Sequence, residues 1–99
     1  MAANSIIKGI VNNVHCRRRG EQFVKNFAIT SELSGISVAS SAWSNTVLNI
    51  DTIRDGAYAT AHGYFKKVDF IRKDGSRYVG REFVVNRIDA LPDYELSLN

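Results

Sequence analysis

Along residues 57–66 the side chains alternate with a period of two. Ala57, Ala59, Ala61, Gly63 and Phe65 fall on one side of an extended backbone, and Tyr58, Thr60, His62, Tyr64 and Lys66 on the other, which predicts a strand. A second stretch rich in aromatic and β-branched residues runs from Tyr78 to Ile88. Between them lies Asp74-Gly75, a dipeptide that takes positive backbone dihedrals at little cost, so the pair is expected to form one long, protruding β-hairpin.

Upstream, Ser5–Val14 reads as a first strand in which Ile6, Ile7, Ile10, Val11 and Val14 are too dense for strict alternation. Gly9 in its middle predicts a bulge or sharp bend. His15–Gln22 reads as a polar loop closed by Gly20, followed by a second strand carrying Phe23, Lys25, Phe27 and Ile29 on one parity and Val24, Asn26, Ala28 and Thr30 on the other. Pattern alone leaves open which parity is core. Leu33-Ser34-Gly35 is a turn, and Ile36–Trp43 a third strand of small residues. From Ser44 to Ile53 the pattern changes: Ser44 or Asn45 can cap, and Val47, Leu48, Ile50 and Ile53 approach helical spacing, predicting one short helix that plugs a barrel end. Arg54-Asp55-Gly56 then leads into the hairpin.

Three strands, a short helix and two strands, with no repeat or linker, is the order of an all-β, five-stranded OB-fold Greek-key barrel with one short helix between strands 3 and 4. With 99 residues and 44% hydrophobic content, the chain is expected to be a single domain over 1–99, its barrel spanning about 5–91 and a short tail 92–99.

The formal charge of +3 changes this picture less than its distribution does. Arg17, Arg18, Arg19 and Lys25 against Glu21 make one basic cluster; Lys66, Lys67, Arg72, Lys73, Arg77 and Arg81 against Asp69 and Asp74 make a second; the stretch from Glu82 onward is acidic. In an OB barrel the ligand crosses strands 2 and 3, between the loop joining strands 1 and 2 and the loop joining strands 4 and 5. Both clusters fall on those loops, and two basic loops on one small domain imply a groove for a polyanion. Aromatic residues are interleaved with the cations: Phe23, Trp43, Tyr58, Tyr64, Phe70 and Tyr78. Single-stranded nucleic acid suits that mixture, because phosphates meet Lys and Arg while bases stack on rings. Each feature also has a plainer explanation. Trp43, Phe23 and Phe27 could be core, Tyr58 and Tyr64 a subunit interface, and Arg17–Arg19 a solvated loop.

Composition narrows the remaining classes. One cysteine excludes an intrachain disulfide, and no Cys/His cluster has zinc spacing, which fits a reducing, cytoplasmic setting. The opening MAANSIIKGIVNNV lacks the uninterrupted apolar run of a signal peptide or membrane span, so no membrane association is expected. His15-Cys16 has no orienting acid or oxyanion site in view, and no phosphate-binding glycine loop occurs, so neither enzymatic activity nor a cofactor is expected.

At this point the chain resembles the bacterial and phage single-stranded DNA-binding proteins, a family that includes the primosomal protein PriB. The matching residues are Asp55-Gly56 followed by Gly63, then Asp74-Gly75, Tyr78, Glu82 and the run Phe83-Val84-Val85-Asn86; Trp43 answers to a tryptophan often found on the family's third strand. The likeness covers Ser5–Val14 and Ile53–Leu91. It implies single-stranded DNA binding in replication, recombination or repair, a homo-oligomer (dimer or tetramer), and replication or recombination proteins as partners. Two departures stand out. The sequence ends soon after the barrel, at Asp93-Tyr94-Glu95-Leu96, where family members carry a long tail with an acidic tip that recruits partners. The stretch Ser31–Ser44 is also shorter than the family's second hairpin, as in a compact phage, plasmid or primosome variant. Two other readings remain open beside this one: an OB-fold protein-interaction subunit of a replication or other assembly, and an RNA-binding OB module.

Overall fold

The computed structural model describes residues 4–91, so the tail expected over 92–99 lies outside the described residues. Its strands are β1 (Asn4–Arg19), β2 (Gln22–Ser31), β3 (Ser37–Trp43), β4 (Tyr58–Ile71) and β5 (Arg77–Leu91). They close into a barrel in the order β1-β2-β3-β5-β4, β1 pairing with β2 along one edge and β4 along the other. Among the described residues, only the β3–β5 contact is parallel. This is the five-stranded OB-fold barrel expected from strand order.

The alternation on β4 has its cause in the core. Ala57, Ala59 and Ala61 are buried, and their small side chains leave room inside the barrel for Phe83, Ile29, Ile53 and Ile88. On β2 neither parity is wholly core: Phe27 and Ile29 point inward, whereas Val24 is buried on the other face. Gly9 and Gly63 mark close strand approaches. A Cβ at Gly9 would press into the Thr30 carbonyl, and one at Gly63 into the Val84 carbonyl.

Three expectations are corrected. His15–Gln22 is not a loop: β1 continues to Arg19 and reverses through Gly20-Glu21 into β2, pairing His15 with Asn26 and Arg19 with Gln22. His15–Arg19 are exposed on both faces of the strand, so ladder hydrogen bonds hold charged residues in a strand without any alternation to announce it. The irregularity in β1 lies between Asn12 and His15, with Asn13 at φ 59°, not at Gly9. There the Val14 N–H, left without a ladder partner by the extra residue, donates to Asp55 Oδ1 at 2.9 Å.

The third correction concerns Ser44–Ile53, which forms successive turns ending in a single 3-10 turn, Ile50–Thr52, instead of a helix. Asn45, Thr46, Val47, Asn49 and Thr52 are weak helix formers, and a segment this short cannot recover the cost of nucleation. Asn49 Nδ2 is instead tied to the Ile88 carbonyl at 2.8 Å. The plugging role survives the change of backbone: Val47 and Ile53 enter the core, while Leu48 is 94% exposed.

The β4–β5 hairpin runs in register from Tyr58 opposite Leu91 to Ile71 opposite Arg77, with one shift where Asn86 is left over beside His62 and Gly63. Its tip, Arg72–Ser76, is fastened by Arg72 N–H to the Ser76 carbonyl (2.8 Å) and by Ser76 N–H to Asp74 Oδ1 (2.9 Å). Beyond Lys66 most of its residues are exposed, so this half is a two-stranded arm extending from the barrel.

Gly9→Ala and Gly63→Ala are each expected to destabilise the fold by about 3 kcal/mol, since the obstacle is backbone carbonyl that cannot turn aside. Thermal melts followed by circular dichroism should show a fall on the order of 10 °C or more; parent-like melting would mean the strands can part at those points.

Candidate nucleic-acid interface

Side chains pointing away from the core build a concave outer face. On β2 and β3, Val24 stands opposite Trp43 and Asn26 opposite Ser41. The parallel contact adds β5, with Ser41 opposite Val84. β4 then contributes Tyr64 opposite Val84 and Lys66 opposite Glu82, and the β1 ribbon contributes Arg17 opposite Val24 and Arg19 opposite Gln22. All of these residues line one groove of about 690 Å³. The burial of Val24 on this side is thus explained: it forms the apolar floor beneath Trp43.

The arm extends the groove into a second recess of about 530 Å³, lined by Val68, Phe70, Arg72, Tyr78 and Arg81. Arg17, Asn26 and Glu82 line both spaces and form the divide between them. Arg17 Nη2 donates to Asn26 Oδ1 at 3.0 Å, and Asn26 Nδ2 donates to Glu82 Oε1 at 3.4 Å.

Two aromatic groups are held ready by cations. Phe70 and Tyr78 pack with ring centroids 5.2 Å apart, and the Arg72 guanidinium lies 4.9 Å from the Tyr78 centroid. At the end of the β1–β2 ribbon, Arg18 lies 5.6 Å from the Phe23 ring. Phe70 is 51% exposed and Phe23 46%, so each keeps ring surface free for another flat group.

The sequence-predicted residues divide clearly. Arg17, Arg19, Trp43, Tyr64 and Lys66 line the groove, and Phe70, Arg72, Tyr78 and Arg81 line the recess. Arg18 and Phe23 sit at the ribbon end on the face opposite Arg17 and Arg19. Lys73 is exposed at the arm's tip, and Lys67 has the strand parity opposite to Lys66. Three residues lie apart. Lys25 has the inward parity of β2 and its Nζ donates to the Ile53 carbonyl at 2.9 Å, closing the barrel end. Tyr58 is six residues from Tyr64, about 20 Å along the strand, where its hydroxyl donates to Glu32 Oε2 at 2.6 Å; that bond, with smaller contributions from desolvation and the Glu32 charge, raises the phenol's pKa. Arg77 grips Asp69 with two bonds, Nε–Oδ1 at 2.9 Å and Nη2–Oδ2 at 2.6 Å, so its charge is already answered within the arm.

Sequence reasoning missed the polar floor: Asn26, Ser41, Glu82 and Asn86 line the groove as well. A signal existed in parity, since Asn26 follows Val24 by two, and Glu82 and Asn86 flank Val84 by two. It was hidden because the core parity of β2 was undetermined and because a carboxylate does not announce itself as part of a basic site.

No family model matches this chain, and no curated protein matches it. Similar solved structures include a crystal structure of the S. cerevisiae mitochondrial single-stranded DNA-binding protein Rim1, with 19% identity, TM-score 0.61, and coverage of 94% of this chain and 98% of that one. A selenomethionine-labelled crystal of the same yeast protein has the same identity and coverage, with TM-score 0.52. At that identity the likeness establishes a shared fold.

The Asp69–Arg77 pair makes a signed prediction. Hydrogen bonding to Arg77 lowers the Asp69 pKa below its ordinary 3.8, with desolvation a smaller opposing effect. A carboxylate depressed on folding adds stability above its unfolded pKa and loses it as pH falls through the folded one. An NMR titration should therefore find the Asp69 midpoint below 3.8, and Arg77→Gln should return it toward that value; an unchanged midpoint in Arg77→Gln would show that the arm is not held by this pair.

Proposed function

We propose that the protein binds single-stranded DNA in the groove between the β1–β2 ribbon and the β4–β5 arm, and that binding itself is its activity. One observation carries the reading: Trp43 and Tyr64, then Phe70 and Tyr78, line a continuous path along which Arg17, Arg19, Lys66, Arg72 and Arg81 are distributed. Stacking on such rings requires bases freed from a duplex, and the spaced cations match a phosphate backbone. The likeness in fold to Rim1, described as a mitochondrial single-stranded DNA-binding protein, supports the same reading. Work of this kind falls in replication, recombination or repair, where single strands are exposed, alongside other proteins of those processes. The exposed, free Cys16 fits a reducing compartment such as the cytoplasm. We also propose that the chain self-associates, because Ile6 and Ile10 are exposed on the outer face of β1 beside Tyr58.

Fluorescence titration of Trp43 with an oligothymidine at several salt concentrations tests the groove. Affinity should fall steeply with salt and exceed that for duplex; a flat dependence, or no quenching, would overturn the reading. Trp43→Ala should cost roughly 1–3 kcal/mol of binding at nearly unchanged salt slope, the scale of one lost stack. Removing two phosphate contacts in the Arg72→Ala, Lys73→Ala double variant should reduce the slope by about 1.4, whereas Lys25→Ala and Arg77→Ala should change it little because both cations are engaged within the protein. If Trp43→Ala binds like the parent but melts far earlier, the ring serves packing instead.

Self-association has a separate check. Sedimentation at micromolar concentration should report a dimer or tetramer, and Ile10→Lys should shift it toward monomer. A monomer at every concentration would end that part of the proposal.

A further inference from the structure

The centre of this basic groove holds a carboxylate. Glu82 lines both the main groove and the arm recess, at the divide where a strand passing from one to the other must cross. Nothing in its surroundings accounts for it as a structural ion pair. Lys66 stands directly opposite on β4, yet among the described residues the one salt bridge is Asp69–Arg77. Oε1 accepts one long bond from Asn26 Nδ2 (3.4 Å), whose own amide oxygen is taken by Arg17 (3.0 Å), and among the described residues Oε2 has no hydrogen-bond donor. Glu82 is therefore tethered by one long bond through Asn26, itself held by Arg17, and its carboxylate has acceptor capacity to spare.

A carboxylate accepts and does not donate, and it repels phosphate. A bound strand must therefore turn a base edge, not its backbone, toward Glu82, leaving phosphates to Arg19, Lys66 and Arg81 at the margins. The four bases differ at that edge. Guanine offers two adjacent donors, N1–H and N2–H, that match two carboxylate oxygens; cytosine and adenine offer an amino group; thymine offers a single N3–H between two carbonyl oxygens that the carboxylate opposes. Resting on the single-strand reading above, we propose that Glu82 reads one base edge, so that the groove takes guanine, then cytosine, ahead of thymine at the position crossing the divide.

The experiment compares short oligothymidines carrying one central guanine, cytosine or hypoxanthine in place of thymine, with affinities measured for the parent, Glu82→Gln and Glu82→Ala. In the parent, guanine should tighten binding about 10-fold over thymine, the scale of one good bidentate contact. Cytosine should tighten it less, and hypoxanthine, which keeps N1–H but lacks the 2-amino group, should fall short of guanine. Glu82→Gln carries both a donor and an acceptor and removes the charge that repels phosphate, so the order should collapse and the all-thymine strand should bind more tightly than to the parent; Glu82→Ala should collapse the order too, and melting curves establish that each variant is folded. Equal affinities in the parent, or the same order kept in a folded Glu82 variant, would overturn the base-reading role and leave the groove reading intact. If the parent binds none of the strands, both readings fall together.

Discussion

Two residue pairs, Ser40 with Phe83 and Ser41 with Val84, join β3 to β5 in parallel and close the barrel. So short a seam works because the residues at it on β3 are small. Ser40, Ser41 and Ala42 are buried, and Ser40 satisfies its hydroxyl on the Val38 carbonyl at 3.0 Å. Phe83 fills the interior behind the seam, against Phe65 at 5.1 Å. The groove depends on this contact: it is what sets Trp43 of β3 and Glu82 of β5 on one surface, although they are far apart in sequence. Were β3 and β5 to separate, the aromatic floor and the polar divide would no longer share a face.

The arm and the ribbon contribute in a different currency. Neither has a core, and a lone two-stranded hairpin is at best marginally stable in water. Each is rooted in the barrel and fastened locally. The ribbon has its bulge bonded by Asp55 and its end by the Phe23 N–H to Ser44 Oγ bond (2.8 Å). The arm has the Asp69–Arg77 pair on one face and the Phe70–Tyr78–Arg72 stack on the other. An exposed ion pair of this kind is a weak stabiliser. Its larger consequence is that it occupies Arg77, which strand parity places on the face of the arm away from Phe70, Arg72 and Tyr78, and leaves Arg72 and Arg81 as the arm cations that line the recess.

Charge in the groove is therefore less uniform than the distribution of Lys and Arg along the chain. Some cations serve the fold, as Lys25 does at the Ile53 carbonyl; some are paired, as Arg77 is; and a carboxylate sits among those that remain. Under the proposed single-strand reading, a basic margin around a polar floor would separate the two tasks that a polyanion with bases presents, holding the backbone and meeting the base edges.

The sequence by itself determined the elements whose cause is local. Alternating alanines made β4 a strand with one buried face, Asp74-Gly75 marked the reversal, and the order of strands with basic clusters at two connections pointed to the barrel and to a polyanion groove. It did not determine the extent of β1, because a strand end exposed on both faces needs no alternation and His-Cys-Arg-Arg-Arg looks the same in a strand as in a loop. Nor did it determine the backbone of Ser44–Ile53, where helical spacing competed with weak helix formers and the Asn49 bond to Ile88, 39 residues distant, favoured turns. Membership of the site was the least legible. Whether Lys25 or Asn26 faces the groove, and whether Arg77 or Arg81 is free to meet a phosphate, depends on the parity of β2 against the core and on which side chain stands across the hairpin. Those relations are fixed only when the strands pair and the barrel closes, since side-chain direction in a sheet is set by partners distant in sequence.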